Sequence, residues 1–141
     1  MRVRVIGIGT RQGDDAAGLA VAESLAAREL PAGTRIATCE RPLPDLLELL
    51  ADADAAVLVD AARGSGAVGT ARRVERAELT RWAATSSHGF GVAEVLELAD
   101  ALGRAPGRIE LVAVEGGGAD AIDAGAGVVL DLLRSLVTAG G

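Results

Sequence analysis

Two adjacent carboxylates, Asp14 and Asp15, stand at the end of a glycine-rich loop, where a phosphate-binding chain would avoid negative charge. The loop follows the apolar run VRVIGI and precedes an amphipathic stretch. A helix N-terminus offers free N–H groups and about half a positive charge, so it attracts anions. Because the chain supplies its own anions here, the pattern favours a carboxylate site that binds metal over a phosphate cradle.

Helix capping is the alternative role for this pair of aspartates. An aspartate at the N-cap accepts a backbone N–H and contributes about 1 kcal/mol. One aspartate satisfies that need. We therefore expect Asp14 to cap the helix in a supporting role, which leaves Asp15 for a ligand.

Two further residues could complete a metal site. Asp60 ends the apolar run AAVLVD, and a buried carboxylate there costs several kcal/mol unless it is hydrogen-bonded, charge-paired or bound to metal. An Asx-turn into Ala61 is the alternative. His88, the only histidine, stands in TSSHGFG before a helical pattern, where a surface or N-cap role is the alternative. With Asp15, these residues would form an open three-ligand site for a divalent first-row metal.

Strand and helix patterns alternate along the chain and would position these residues. Strand patterns cover 2–8, 35–40, 55–60 and 108–115, with a fourth strand in chain order at 69–76 that could be antiparallel and lie at an edge. Helix patterns cover 15–30, 43–50, 90–102 and 120–137, the last of which glycines at 125–127 could break, and 80–87 is expected to be a loop. The alternation predicts an α/β fold with a mainly parallel sheet and helices on both faces.

Ligands of such folds bind outside the C-terminal ends of the strands, at the switch point of the strand order. We therefore expect Asp15, Asp60 and His88 to share one crevice.

Composition excludes several classes of protein. The 141 residues indicate one domain, 1–141. The net charge is −6 and the arginines are scattered, so nucleic acid is not expected as a partner. Cys39 is the only cysteine, which excludes an intrachain disulfide and fits a reducing cytosol. The sequence shows neither a signal-peptide pattern nor an apolar run of about 18 residues. We therefore expect a cytoplasmic protein that does not associate with membranes.

A dinucleotide-binding domain is an alternative reading of the first loop. Gly7 and Gly9 follow a strand, and Glu40 ends the second strand, where a ribose-binding acid would lie. However, Gln12 stands where the third glycine belongs, and the paired aspartates would repel a pyrophosphate.

The chain resembles the nickel-iron hydrogenase maturation endopeptidases in four segments, IGIGTRQGDDAAGLAVAESL, VLVDAARG, SSHGFGVAEVLELADALGRAP and IELVAVE. The resemblance implies a three-layer α/β/α sandwich with a twisted, mainly parallel sheet of about five strands. It also implies an endopeptidase that removes the C-terminal extension of a hydrogenase large-subunit precursor, with nickel supplied by that precursor. The residues that contact nickel in the family match Asp15, Asp60 and His88. These three are the predicted metal contacts and catalytic residues, and Asp15 or Asp60 could activate the attacking water.

Three positions depart from the family pattern. Thr10 replaces an asparagine, Gly116 replaces a proline, and Glu40-Arg41-Pro42 replaces a glycine-threonine loop linked to substrate recognition. The altered loop makes the identity of the partner hydrogenase less certain than the chemistry. It also leaves open a family-like binding module without peptidase activity. A monomer is expected.

Overall fold

The computed structural model describes residues 1–64, 66–83 and 91–140, except for the side chains of 43, 80–83, 139 and 140. Its strands are β1 (Val3–Ile8), β2 (Thr34–Cys39), β3 (Ala55–Ala62), β4 (Ala71–Val74) and β5 (Arg108–Glu115). They form one sheet in the order β2-β1-β3-β5-β4. All neighbouring pairs are parallel except β4 with β5. The predicted parallel sheet with an antiparallel edge strand is therefore confirmed.

Helices cover both faces of this sheet. They are α1 (Ala17–Leu25), α2 (Leu47–Ala51), α3 (Arg76–Ala83), α4 (Val92–Ala101) and α5 (Ala119–Gly140). Helices α1 and α5 pack on one face, and α2 and α4 pack on the other. The result is the expected three-layer α/β/α sandwich. Within the described ranges, no helix is long and apolar enough to cross a bilayer.

Strand β3 shows how one sequence supplies both cores. Successive side chains of a strand point to opposite faces, so a strand covered on both sides is apolar throughout. Val57 and Val59 enter the core under α1 and α5, whereas Leu58 enters the core under α2 and α4. By the same alternation, Asp60 belongs to the face of α2 and α4.

Several element boundaries differ from the sequence expectation. Helix α1 ends at Leu25 rather than at 30, because the exposed residues 26–29 gain no packing that would extend it. The predicted helix 43–50 is divided into a π-type turn, Pro42–Leu46, and α2. Helix α3 occupies 76–83, so the first part of the predicted loop is helical. Strand β3 continues two residues beyond Asp60.

Helix α5 is continuous through the glycines that were expected to break it. Gly125 faces α1, and an added Cβ would lie 2.7 Å from Cγ2 of Val21. Gly125 therefore permits close packing of two helices and does not end one.

Candidate active site

The strand order places its switch point between β1 and β3. From β1 the chain leads outward to β2 on one side, and from β3 it leads toward β5 on the other. In sheets of this topology, ligands bind in a crevice at the C-terminal ends of the strands, which here are the ends of β1 and β3. Asp15 lies in the turn that follows β1, and Asp60 lies near the end of β3. The structure thus brings two of the three predicted residues to one place.

Glycines hold Asp15 close to the sheet. An added Cβ on Gly18 would overlap the carbonyl oxygens of Ile8 and Val59, and one on Gly9 would overlap the carbonyl oxygen of Asp15. The loop is also closed by hydrogen bonds, since Asp15 N–H donates to the carbonyl of Gln12 at 3.1 Å. Only glycine permits this close approach, so the start of α1 is fixed against the ends of two strands.

Asp15 is partly exposed and has a basic neighbour. Its Oδ1 lies 3.8 Å from Nη2 of Arg63, and the two side chains are 38% and 83% exposed. Exposed ion pairs at such distances contribute about 0–1 kcal/mol. The Arg63 guanidinium is therefore a weak partner that a stronger cation could displace.

Asp60 is the more strongly perturbed carboxylate. Val59 is the last residue of β3 in register with β1, whereas Asp60 still pairs with Ala113 of β5. Burial raises the pKa of Asp60 to about 7, the N–H of Ala61 opposes this, and the charge of Asp15 adds to it. The Asx-turn considered as the alternative is not formed, because the donor to Oδ1 is the N–H of the next residue, Ala61, at 2.8 Å and β3 continues to Ala62. The hydrogen bond from Ala61 does not offset the loss of water around the carboxylate.

The third predicted residue, His88, lies outside the described residues. Within the described part of the chain, no three His, Cys, Asp or Glu side chains are grouped closely enough to hold a metal ion. Asp15 and Asp60 nevertheless fit a cation, because burial and the charge of Asp15 both raise the cost of ionising Asp60. A divalent metal would relieve both effects.

Asp14 does not cap a helix as expected. The short 3-10 turn Gly13–Ala16 and α1 both begin without a side-chain cap hydrogen bond. The carboxylate of Asp14 instead lies against the loop before α5, where its Oδ1 would be 2.9 Å from a Cβ added to Gly117. The tight turn after Gly13 has directed the side chain away from the helix and across the crevice.

Glu115 is a residue of this region that the sequence interpretation missed. It is 5% exposed, ends β5, and is in register with Ala62 on the same face as Asp60. Its Oε1 accepts a hydrogen bond from Gly66 N–H at 3.2 Å, and its carbonyl accepts one from Gly69 N–H at 2.8 Å. Glu115 therefore fastens the β3–β4 loop that carries Arg63. The signal was available, because IELVAVE ends an apolar strand with an acid just as AAVLVD does.

Cys39 supports the loop after β2. Its buried thiol donates to the carbonyl of Arg41 at 3.2 Å, and burial raises its pKa to about 11. A neutral thiol is a poor nucleophile. Cys39 therefore orients the Glu40-Arg41-Pro42 loop, in which Arg41 lies 3.6 Å from Asp45.

Fold and site together define an α/β/α protein with a carboxylate crevice at the switch point, not a nucleotide-binding domain. A family model described as HycI, hydrogenase maturation protease, matches residues 22–127. The chain belongs to this family and is a hydrolase of the hydrogenase maturation protease type. The matched range contains Asp60 and His88 and begins after Asp15.

Solved structures of similar fold agree with this assignment. The hydrogenase maturating endopeptidase HybD from Escherichia coli is 24% identical with a TM-score of 0.77, over 96% of this chain and 94% of that one. An endopeptidase from Escherichia coli solved in solution is 26% identical with a TM-score of 0.81 over the same shares. The [NiFe] hydrogenase maturation protease HycI from Thermococcus kodakarensis KOD1 is 24% identical with a TM-score of 0.71, over 94% and 92%. Among curated proteins, none matches the sequence.

Proposed function

We propose that the protein removes the C-terminal extension of a nickel-loaded [NiFe] hydrogenase large-subunit precursor, and that Asp15, Asp60 and His88 contact the nickel of that substrate. The observation that carries the proposal is the meeting of Asp15 and Asp60 at the switch point, in a chain of the maturation protease family. In this proposal the protein is a cytoplasmic monomer that holds no metal of its own.

The two carboxylates would divide the work of hydrolysis. Asp15, Asp60 and His88 would hold the nickel that arrives with the precursor, and this metal would supply a recognition mark and a Lewis acid for the scissile carbonyl. A general base works best when its pKa lies near the working pH. We assign this role to Asp60, whose pKa is about 7 before the nickel of the substrate arrives. Asp15 then serves as a contact that changes partner from Arg63 to the metal.

A cleavage assay with purified precursor tests this proposal. We expect Asp15→Asn, Asp60→Asn and His88→Ala each to slow cleavage of the nickel-loaded precursor by at least about 100-fold, a loss typical of removed catalytic groups. The exposed Asp131 of α5, which is 79% exposed, supplies the control Asp131→Asn, and this variant should cleave at the wild-type rate. Wild-type rates for both Asp15→Asn and His88→Ala would refute the site assignment.

A further inference from the structure

A second cleft lies at the opposite edge of the sheet, where the parallel strands begin. It has a volume of about 440 Å³ and is lined by Arg2, Val3, Arg4, Gly33, Arg35 and Asp52. Three of its six lining residues are arginines, although the whole protein carries a net charge of −6. The cleft is therefore a local concentration of positive charge, far along the strands from the crevice at their C-terminal ends.

Two of these arginines are direct neighbours across the sheet. Arg4 of β1 is in register with Arg35 of β2, so both side chains leave the same face. The Arg4 side chain is only 22% exposed. Like charges placed opposite each other on neighbouring strands are destabilising. The pair of Arg4 and Arg35 therefore lowers the stability of the folded protein when no ligand is bound.

The carboxylates nearby neutralise this cluster only in part. Asp52 lies 4.0 Å from Arg4 and Asp54 lies 3.9 Å from Arg2, and the two acidic side chains are 71% and 49% exposed. No ion pair of Arg35 is present within the described ranges. Three guanidinium groups are thus matched by two carboxylates in long, exposed ion pairs, and one positive charge remains.

We propose that this cleft binds a small polyphosphate-type anion. The planar guanidinium forms paired hydrogen bonds with phosphate oxygens, and three of them suit a ligand with more than one phosphate group. The cleft also exceeds the size of a single phosphate. Its lining contains no aromatic side chain on which a base could stack, so the phosphate groups themselves are the recognised part. The site is independent of the proposed peptidase function.

Titration calorimetry with inorganic pyrophosphate tests the proposal. We expect saturable binding with one ligand per chain, about tenfold weaker in Arg35→Gln because a charged donor pair is lost. Asp52→Asn should bind a few-fold more tightly, since it removes a repelling charge. Arg134→Gln in α5 is the matched control and should bind like the wild type.

Thermal melting distinguishes a ligand-binding arginine from one that only stabilises the fold. Without ligand, Arg35→Gln should melt no lower than the wild type, because the repulsion of Arg4 is relieved. Pyrophosphate should raise the melting temperature of the wild type more than that of Arg35→Gln at the same ligand concentration, relative to sodium chloride of equal ionic strength. Absence of saturable binding, or equal binding by Arg35→Gln and Arg134→Gln, would overturn the proposal.

Discussion

At the scale of single residues, the burial of Asp60 changes both its pKa and the pH dependence of stability. Its folded-state pKa of about 7 lies above the ordinary value of 3.8, so the folded protein holds this proton more tightly than the unfolded chain does. The stability that the protonated group contributes is fully present below about pH 4. It is lost as the pH rises through about 7.

We therefore predict that Asp60→Asn stabilises the metal-free protein near neutral pH. The gain in unfolding free energy should be on the order of 1–3 kcal/mol at pH 7.5 and clearly smaller at pH 5, since an amide cannot ionise. Urea denaturation at both pH values measures it, with Asp131→Asn as the control. An effect of Asp60→Asn that is independent of pH would contradict the assigned cause.

Arg63 gives a second prediction at this scale. Its guanidinium lies 3.8 Å from Asp15 and repels any cation that approaches this carboxylate. Arg63→Gln should therefore bind Ni²⁺ or Cd²⁺ about 3- to 10-fold more tightly than the wild type, a modest change because the pair is exposed. Calorimetry with the metal alone measures this, and Arg11→Gln, which alters another exposed ion pair, is the control. Unchanged or weaker binding would show that Arg63 does not compete with the metal.

At the scale of elements, the close packing of α1 against the sheet is the feature that positions the site. Gly18 leaves no room for a Cβ between α1 and the carbonyl oxygens of β1 and β3. For Gly127, in α5, no atom of the described residues outside its own stretch of helix lies within 4 Å of the place where its Cβ would lie. The two glycines are both helical and both lack a positive φ, so they form a matched pair.

We predict opposite effects of alanine at these two positions. Gly18→Ala should lower the unfolding free energy by about 2–4 kcal/mol, because backbone atoms must move to admit the methyl group. Gly127→Ala should raise it by about 0.5–1 kcal/mol through the better helix propensity of alanine. Denaturant unfolding compares the two, and a Gly18→Ala protein as stable as the wild type would mean that α1 is not held as described.

The elements also show which parts of the fold the sequence could predict. Strands β1, β3 and β5 were located closely because each contains a short apolar run that is covered on both faces. The end of α1, the continuity of α5 and the helix at 76–83 depend on contacts with distant residues, which a local pattern does not contain. For the same reason Gly125 suggested a break, although its role is to admit Val21 of a neighbouring helix.

At the scale of the whole molecule, topology explains how much of the site was predictable. The switch-point rule needs only the order of strands, and it brought Asp15 and Asp60 together from positions far apart in the chain. Arg63 and Glu115 were not predicted as parts of the site, because their roles depend on the path of the β3–β4 loop and on the register of β3 with β5. His88, which lies outside the described residues, stays a prediction.

The glycine contacts at the start of α1 also bear on how such a protein can diversify. The close contacts of Gly9 and Gly18 place Asp15 against the sheet, and Gly9 N–H donates to the carbonyl of Cys39, the last residue of β2, at 3.1 Å. These contacts involve β2 only as far as Cys39, so we expect the following loop, Glu40-Arg41-Pro42, to be exchangeable with little displacement of the carboxylate. Under the proposed function, grafting a different loop after Cys39 is therefore the direct way to test whether this segment selects the hydrogenase precursor.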